Sequence, residues 1–328
     1  MVRCNILFTS AGRRVSLIQS FRSALNELGI DGSIVTGDLR GDAPARFVGD
    51  VHEQLPRVDA ESYVDRLKAV CVKHSIQLVV PLIDTELHIL ARHRDAFQQL
   101  GVCLLISSPA VTDIAYDKRR TMAFFESARA LTPRLIERED FVAENIHFPL
   151  MLKPARGSGS VGVTKIHNRH ELDFFLGYIP DPVVQEFIQG DEYTLDVLTD
   201  FSGRVRSIVP RLRLETRAGE VSKGMTVKNK AVMSAGARVV EALPGPIGPI
   251  TVQCFMTPDG DISFIEINPR FGGGFPLSAQ AGANFPRWII EWVLGRDPVF
   301  ELNAWQDGLM MLRYDDAVFA TKQEVESV

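Results

Sequence analysis

A glycine-rich segment, Met151–Val163 (MLKPARGSGSVGV), is the strongest local pattern with a chemical interpretation. An apolar run leads to Lys153, and the glycines that follow let the backbone approach a bound polyphosphate closely. The candidate contacts of this loop are Gly157, Ser158, Gly159, Ser160 and Gly162. The spacing matches neither a Walker loop, which needs Gly-Lys-Ser/Thr after the glycines, nor a Rossmann fingerprint. Taken alone, the segment is compatible with both a phosphate-binding loop and a flexible surface turn.

Oxygen-bearing side chains gather at the end of another apolar run. In a strand, Glu266 and Asn268 lie on one face, which Phe264 would share, so this face changes from apolar to polar at its C-terminal end. Carboxylate and amide oxygens suit Mg²⁺, which takes few protein ligands and bridges to phosphates. Gln253 on a partner strand adds an oxygen, and Arg270 is placed to bind phosphate oxygens through two N–H groups. A buried Glu without a partner would be costly, so the pattern favours a metal site.

A third segment, Val183–Asp196, runs from a buried strand through Glu186 to Glu192. A connector between lobes presents backbone N–H and C=O groups to an adenine edge, and a carboxylate further along accepts hydrogen bonds from ribose hydroxyls. Read alone, this segment is also compatible with acidic side chains that simply face solvent after a strand.

The elements that position these residues follow two patterns. Up to about residue 108, apolar runs alternate with helical periodicity, which predicts a parallel sheet with helices on both faces. The predicted strands there are Asn5–Thr9, Ser33–Thr36, Gln77–Leu82 and Val102–Ser107, and the predicted helices are Val15–Leu28, Ser62–His74 and Leu87–Leu100. Later predictions include helices over Asp113–Ala130, Lys230–Leu243 and Phe285–Leu294, and a hairpin of Thr251–Met256 with Asp261–Asn268.

Composition narrows the function classes. The 328 residues carry 36 basic and 41 acidic side chains, a net charge of -5, which gives no broad positive field for nucleic acid or an anionic membrane. The four cysteines form no CxxC pair and the seven histidines are scattered, so we expect reduced thiols and no zinc site. The sequence has no run of 18 apolar residues and no signal-peptide pattern at its start. We therefore expect a cytoplasmic protein.

In this order, the three segments resemble the ATP-grasp superfamily, and most closely one synthetase unit of the carbamoyl-phosphate synthase large subunit and its stand-alone ligase relatives. The resemblance covers the chain from the Asn5–Arg14 strand and turn to about Arg296. It implies an α/β fold with an N-terminal Rossmann-like parallel sheet, the pre-ATP-grasp domain (1–108). A two-lobed ATP-grasp domain (109–328) would follow, with a lid lobe at about 119–187 and a C-terminal lobe at about 188–310.

The resemblance also implies the site. It gives ATP contacts to Lys118, Lys153, the Gly157–Gly162 loop, the adenine hinge of Glu186, Phe187 and Ile188, and the ribose acid Glu192. It assigns Gln253, Glu266 and Asn268 as ligands of Mg²⁺, or of Mn²⁺ in its place. It assigns Arg270 as the residue that contacts the transferred phosphoryl group. Less directly, it places Lys223 as a catalytic residue, Arg211 as a nucleotide contact and Arg213 beside the phosphate or the substrate.

The activity implied is ATP-dependent ligation of a small carboxylate to an amine or ammonia, through an acyl phosphate. Carbamoyl phosphate synthesis by this chain alone is not expected, because glycines follow Phe271 where such units carry another arginine, and no glutaminase segment is recognisable. A partner-dependent synthetase subunit and a non-catalytic ATP-binding or sensor module remain alternatives. A dinucleotide-dependent oxidoreductase is a third, although the Ser10-Ala-Gly12 turn lacks its glycine spacing. A homodimer is also open.

Charged residues of the first domain suggest where a substrate would bind. Arg13 and Arg14 could hold a carboxylate, and Asp84 or Glu86 could hold an amine. The alternative interpretation is that these are surface charges in turns.

Overall fold

The first third of the chain folds as a five-stranded parallel sheet with the order β3-β2-β1-β4-β5. The structure is a computed structural model, which describes residues 2–137, 140–141, 146–157, 159, 161–217, 219–300 and 303–326. The strands are β1 (Ile6–Thr9), β2 (Ile34–Asp38), β3 (Val51–Gln54), β4 (Leu78–Pro81) and β5 (Cys103–Leu104). The helices are α1 (Val15–Glu27), α2 (Tyr63–Lys73), α3 (Asp84–Ala91) and α4 (Arg94–Gln99), with a 3₁₀ helix over Pro44–Val48.

Alternate residues of β1 enter two different hydrophobic cores. Ile6 and Phe8 pack with α1 on one face, whereas Leu7 packs with α2, α3 and α4 on the other. The predicted parallel sheet with helices on both faces is therefore confirmed. The strand order reverses at β1 and β4, and in such sheets the carboxyl ends of those two strands form a crevice that binds ligands.

The rest of the chain forms two antiparallel sheets. The small sheet has the order β7-β6-β8 and the large sheet β13-β12-β9-β10-β11-β14. Their strands are β6 (Leu150–Pro154), β7 (Thr164–Ile166), β8 (Pro182–Glu186), β9 (Asp191–Thr199), β10 (Val205–Arg217), β11 (Glu220–Thr226), β12 (Gly248–Met256), β13 (Ile262–Asn268) and β14 (Met310–Leu312). The helices are α5 (Pro109–Tyr116), α6 (Lys118–Ser127), α7 (Arg169–Tyr178), α8 (Lys230–Glu241), α9 (Phe275–Gln280), α10 (Phe285–Val293) and α11 (Lys322–Glu326).

Several predicted elements differ in length. The helix predicted over Leu87–Leu100 is two helices, α3 and α4, and the one predicted over Asp113–Ala130 overlaps α5 and α6. The second break falls at Asp117, whose backbone is extended and whose carboxylate accepts a hydrogen bond from Arg119 N at 3.0 Å, an N-cap that starts α6. The strand β3 was not predicted, because its sequence has no apolar run and its place comes from pairing with β2.

The predicted hairpin forms, but one of its strands contains a bulge. Gln253 of β12 lies opposite Glu266 of β13, while Cys254 lies opposite Phe264, so Ile265 is an extra residue without a partner. The expectation that Phe264 shares a face with Glu266 is therefore wrong: Phe264 lies in the core, and Glu266 faces a cavity. A bulge re-aims side chains in this way because it interrupts the strict alternation of a strand.

Within the part of the chain that the structure describes, no helix has the length and apolar character needed to cross a membrane.

Candidate active site

Two adjoining cavities lie on the large sheet. The first, of about 300 Å³, is bounded by the small sheet and contains Lys118 and Lys153 in its wall; we call it the lysine cavity. The second, of about 220 Å³, reaches the carboxyl end of β4 and contains Arg14 and Arg270 in its wall; we call it the arginine cavity. Both are lined by Arg213, Gly219, Gln253 and Glu266, which therefore mark the boundary between the two cavities.

The lysine cavity holds two ammonium groups that have no carboxylate partner among the described residues. Lys118 Nζ donates a hydrogen bond to Gly157 O at 3.0 Å, and within the described residues Lys153, which is 7% exposed, has no hydrogen bond or ion pair. Burial lowers the pKa of Lys153 to about 8; Glu266 opposes this shift, and the nearby Lys118 adds to it. Burial also lowers the pKa of Lys118, against the carboxylates of Glu266, Asp84 and Asp117. Two desolvated cations side by side favour an anionic ligand.

One part of the wall of the lysine cavity is apolar. It includes Met151, Val161, Val163, Phe187, Ile188, Phe255 and Ile265. At the end of β8, Gln185 is 4% exposed and its Oε1 has no donor among the described residues, so it is an acceptor left for a ligand. The next residue, Glu186, lines the cavity but pairs its carboxylate with Arg134 at 3.1 Å. An apolar wall beside one orphan acceptor, which we call the apolar slot, is a suitable environment for a purine.

Oxygen ligands meet where the two cavities join. The Glu266 carboxylate has neither a hydrogen bond nor an ion pair with the residues that the structure describes, and Gln253 faces it across the hairpin. Gln253 Oε1 accepts a 3.3 Å hydrogen bond from Arg213 Nη1, and Asn268 Oδ1 accepts a 3.4 Å one from Arg270 Nη2. One unpaired carboxylate and two weakly engaged amide oxygens fit a Mg²⁺ ion that takes its remaining ligands from phosphates and water.

Glu192, the expected ribose acid, lies in the lysine cavity but is already engaged. Its Oε1 accepts a hydrogen bond from Arg213 Nη1 at 2.6 Å. Burial raises the pKa of Glu192, and Arg213 opposes the shift. The second carboxylate oxygen remains for a ligand.

In the arginine cavity, most cations are neutralised by a carboxylate of the protein. Arg270 binds Asp84 through two hydrogen bonds, Nε–Oδ1 at 2.9 Å and Nη2–Oδ2 at 2.6 Å. Burial works against the charge of Arg270, but the Asp84 carboxylate outweighs this and raises the Arg270 pKa. Arg211 is 1% exposed and holds Asp196 through Nε at 2.7 Å and Nη2 at 3.1 Å.

The predicted site residues divide between these cavities. The lysine cavity is lined by Lys118, Lys153, Gly157, Glu186, Phe187, Ile188, Glu192, Gln253 and Glu266, and the arginine cavity by Gly159, Arg211, Asn268 and Arg270 together with Arg213, Gln253 and Glu266. Arg211, expected at the nucleotide, thus lies with the second group. Ser158 and Ser160 lie outside the described residues.

Lys223 and Gly162 line neither cavity. The pairing of β10 with β11 shifts register near Arg213, which sets Lys223 opposite Glu215, and their charged groups form an ion pair at 2.7 Å. The half-exposed Lys223 ammonium is therefore engaged outside the cavities, and its placement gives a catalytic role no support. Gly162, with φ of 72°, packs against Pro154.

The charged residues that were expected to hold a substrate in the first third of the chain also differ in where they lie. Arg14 and Asp84 line the arginine cavity, whereas Arg13 does not and its side chain is 82% exposed. Glu86 is fully buried: it accepts hydrogen bonds from Tyr63 Oη at 2.6 Å and from the backbone N–H of Leu82 at 2.8 Å. Burial raises the pKa of Glu86, and its bonds are structural, so the proposal that it holds an amine is wrong.

Two groups of cavity residues were not predicted. Met151 could have been found, since it lies two residues before Lys153 on one strand and so shares its face. Gln185 and Glu220 carry no comparable signal, because isolated polar residues at strand ends are common.

Family models match two parts of the chain. Residues 6–105 match the PylC-like N-terminal domain, and residues 115–274 match the ATP-grasp domain. The D-alanine–D-alanine ligase of Nitrosospira multiformis is 33% identical over 223 residues, 61% of this chain and 72% of that protein. The chain belongs to the ATP-grasp ligase family.

Other relatives are matched over smaller parts. The D-alanine–D-alanine ligase of a Marinomonas strain is 34% identical over 103 residues, so this chain spans about a third of its length (32%) and 29% of the chain is covered. The carbamoyl phosphate synthase large chain of Bifidobacterium longum is 26% identical over 178 residues, 49% of this chain and 16% of that one.

Solved structures show the same fold. The biotin carboxylase domain dimer of Hydrogenobacter thermophilus 2-oxoglutarate carboxylase, solved with magnesium ADP and bicarbonate, superposes with a TM-score of 0.75 at 16% identity and covers 93% of this chain and 73% of that one. The L-amino acid ligase of Bacillus licheniformis superposes with a TM-score of 0.68 at 19% identity over 90% of this chain and 75% of that one.

Proposed function

We propose that this protein is an ADP-forming ligase that uses Mg·ATP to join a small carboxylate to an amine or ammonia through an acyl phosphate. The observation that carries the proposal is the pair of desolvated lysines, Lys118 and Lys153, which have no carboxylate partner in the described part of the chain and line the same cavity as Glu266. A triphosphate would supply the missing negative charge.

The nucleotide would lie in the lysine cavity in one orientation. The base would lie in the apolar slot, where Gln185 Oε1 can accept from the exocyclic amine of adenine and the backbone beyond β8 can meet the ring edge. The free oxygen of Glu192 would accept from a ribose hydroxyl. The phosphates would then point to Lys118 and Lys153, toward the boundary with the arginine cavity.

The metal would be held by Glu266, Gln253 and Asn268, where the donor set fits Mg²⁺. When bound, Mg²⁺ would neutralise phosphate charge and fix the phosphate orientation. Lys118 and Lys153 would neutralise the remaining charge, and positioning with electrostatics would carry most of the catalysis.

The carboxylate substrate would approach from the arginine cavity. Its oxygen attacks the γ-phosphorus, forming a C–O–P linkage as the bond to ADP breaks. The amine nitrogen then attacks the carbonyl carbon, forming the C–N bond as the C–O bond to phosphate breaks, and the nitrogen loses a proton to the solvent. Arg270, which Asp84 orients, would donate to the oxygens that gain charge. Exclusion of water once the substrates fill the two cavities would protect the acyl phosphate from hydrolysis.

The test is ADP release with Mg·ATP and a panel of carboxylates, with and without an amine. Hydroxylamine should trap the activated carboxylate as a hydroxamate in the presence of the right acid. ADP release that is independent of any carboxylate, or that gives no hydroxamate with any acid, would argue for a sensor module or another reaction.

Two further expectations belong to this proposal. The division at 108/109, with its lid and C-terminal lobes, can be tested by limited proteolysis with and without Mg·ATP. A homodimer and a cytoplasmic location also remain proposals, and light scattering with size exclusion tests the former.

A further inference from the structure

Arg14 is the cation of the arginine cavity that stands apart from the others. Arg270 is paired with Asp84, Arg211 with Asp196 and Arg213 with Glu192. Within the described chain, Arg14 has no hydrogen bond from its guanidinium and no carboxylate within ion-pair distance. Burial lowers the pKa of Arg14 to about 10, and the nearby Arg270 adds to the shift. A half-buried guanidinium without a partner is costly unless a ligand supplies the anion.

A second guanidinium in the same wall also has an unused donor. Arg211 is 1% exposed, and its Nη1 has no acceptor among the described residues although Nε and Nη2 are both engaged. Arg211 cannot turn away, because Asp196 holds it and Ser278 Oγ in turn donates to Asp196 Oδ2 at 2.5 Å.

Two consecutive glycines, Gly273 and Gly274, lie beside these two arginines. A Cβ atom on Gly274 would lie 2.2 Å from Arg211 Nη1, and one on Gly273 would lie 3.3 Å from the Nη1 of Arg14. Gly274 therefore has no room for a Cβ atom beside Arg211, whereas a Cβ atom on Gly273 would make a tight contact that the Arg14 side chain would have to relieve. Both donors consequently border one short stretch of the cavity wall.

We infer that the arginine cavity binds a substrate with a second anionic group, which pairs with Arg14 while a different carboxylate of the same molecule is activated. The substrate class is a small dicarboxylate, either a simple diacid or an acidic amino acid. This inference rests on the proposed function, since that function defines which carboxylate reacts.

The position of Arg14 indicates which carboxylate of the substrate reacts and which one is only bound. Glu266 and Gln253, which would hold the metal, lie at the boundary of the two cavities. Arg270 is close enough for the charges of Glu266 and Asp84 to raise its pKa. Arg14 lines only the arginine cavity, at the end that belongs to the first domain, where the nearby carboxylates are Glu220 and Asp84. The reacting carboxylate therefore belongs near Arg270, and Arg14 is left for another group.

The charge of the cavity favours a carboxylate over a phosphate as this second group. One unpaired guanidinium matches one negative charge. A dianionic phosphate would bring a second negative charge for which the described part of the cavity holds no unpaired cation, because Arg270, Arg211 and Arg213 already have carboxylate partners. The ligand is accordingly singly charged at this end.

The test uses acid–amide pairs that differ in one carboxylate: succinate and succinamate, glutarate and glutaramate, L-aspartate and L-asparagine, L-glutamate and L-glutamine. Dissociation constants are measured by calorimetry on the full chain with Mg²⁺ and a non-hydrolysable ATP analogue. We expect at least one acid to bind about tenfold or more tightly than its amide, as a charge-assisted pair requires. Arg14→Ala should remove this preference by weakening the acid alone, and Arg14→Lys should retain part of it.

Arg13→Ala is the matched control, because Arg13 is the neighbouring arginine, is exposed and does not line the cavity; it touches a cavity residue through a 3.7 Å ion pair with Glu220, which Arg313 also holds at 3.0 Å. It should keep the preference of the unchanged protein. Thermal unfolding without ligand gives a second readout: Arg14→Ala should unfold at a higher temperature, since it removes an unpaired charge, and this also shows that the variant folds.

The outcomes separate this inference from the proposed function. Equal binding of acids and amides, no binding of any acid, or a preference that survives Arg14→Ala would overturn the inference. ADP release driven by monocarboxylates alone would leave the ligase proposal standing and this inference wrong. Arg14-dependent binding of a diacid without ADP release would support the site and count against the ligase.

Discussion

The two cavities share a wall but differ in whether their cations are paired with carboxylates of the protein. In the lysine cavity, Lys118 and Lys153 are desolvated and have no carboxylate within ion-pair distance among the described residues. In the arginine cavity, Arg270 and Arg211 are each held by two hydrogen bonds to a carboxylate. The first arrangement leaves net positive charge for a ligand with many negative charges. The second leaves little net charge and provides donors in fixed directions, which suits a small substrate.

This difference has a consequence for stability. An unpaired buried ammonium destabilises the fold until a ligand binds, whereas a buried ion pair destabilises it strongly only when one partner is removed. Substitution of the unpaired lysines and substitution of the paired arginines should therefore change stability in opposite directions, while both reduce activity.

The largest effect is expected for Lys153→Met. ADP release, measured as kcat/KM for ATP, should fall about 10²–10³-fold, because removal of a charge that faces the phosphates costs transition-state stabilisation. The unfolding temperature without ligand should rise, because methionine fills the site without a buried charge. Lys230→Met, at an exposed lysine that begins α8, is the control and should change neither quantity. A drop in unfolding temperature would contradict the contrast between the cavities.

The next effect concerns the Arg270–Asp84 pair. Arg270→Ala should lower kcat about 10²-fold with little change in KM for ATP, because it removes a donor to the reacting oxygens. It should also lower the free energy of unfolding by about 3 kcal/mol, since Asp84 is left without its partner. Chemical denaturation and steady-state kinetics measure the two effects.

The double variant Arg270→Ala/Asp84→Ala sharpens this prediction. It should recover most of the lost stability, because neither charge remains, but none of the lost turnover. Recovery of both together, or equal losses in kcat and ATP affinity for the single variant, would mean that Arg270 is only structural.

The smallest effect is the dependence on pH. The pKa of Lys153 is lowered to about 8, so the free enzyme loses this charge above that pH. We expect kcat/KM for ATP to fall about tenfold per unit of pH above 8, and Lys153→Arg to lack this decline, because arginine stays charged. An unchanged alkaline limb in Lys153→Arg would assign it to another group.

The same group affects stability with the opposite sign. The folded-state pKa is below the ordinary 10.5, so the unfolded chain binds the proton more tightly between about pH 8 and 10.5. The contribution of Lys153 to the free energy of unfolding therefore rises with pH across this window. The difference between the unchanged protein and Lys153→Met in urea titrations measures it.

Much of the fold could be predicted because it depends on local patterns. The runs at β1 and β4 are buried on both faces, and the glycine that ends α1 has the positive φ its position requires. The predictions were wrong or incomplete where the pairing of strands, and not the local hydrophobic pattern, determines the structure. No local signal marks β3, and none marks the bulge at Ile265 that turns Phe264 into the core and Glu266 into a cavity.

The sequence alone determined which kinds of group are available: two lysines, a glycine-rich loop, a strand that ends in oxygens, and enough alternation for a parallel sheet. Only the tertiary structure decided which of those charges are free. Whether Arg270, Arg211 or Lys223 has a partner depends on residues distant in the sequence or across a shifted strand register, such as Asp84 for Arg270. Electrostatic free energy depends on distance and burial, and neither can be read from spacing along the chain.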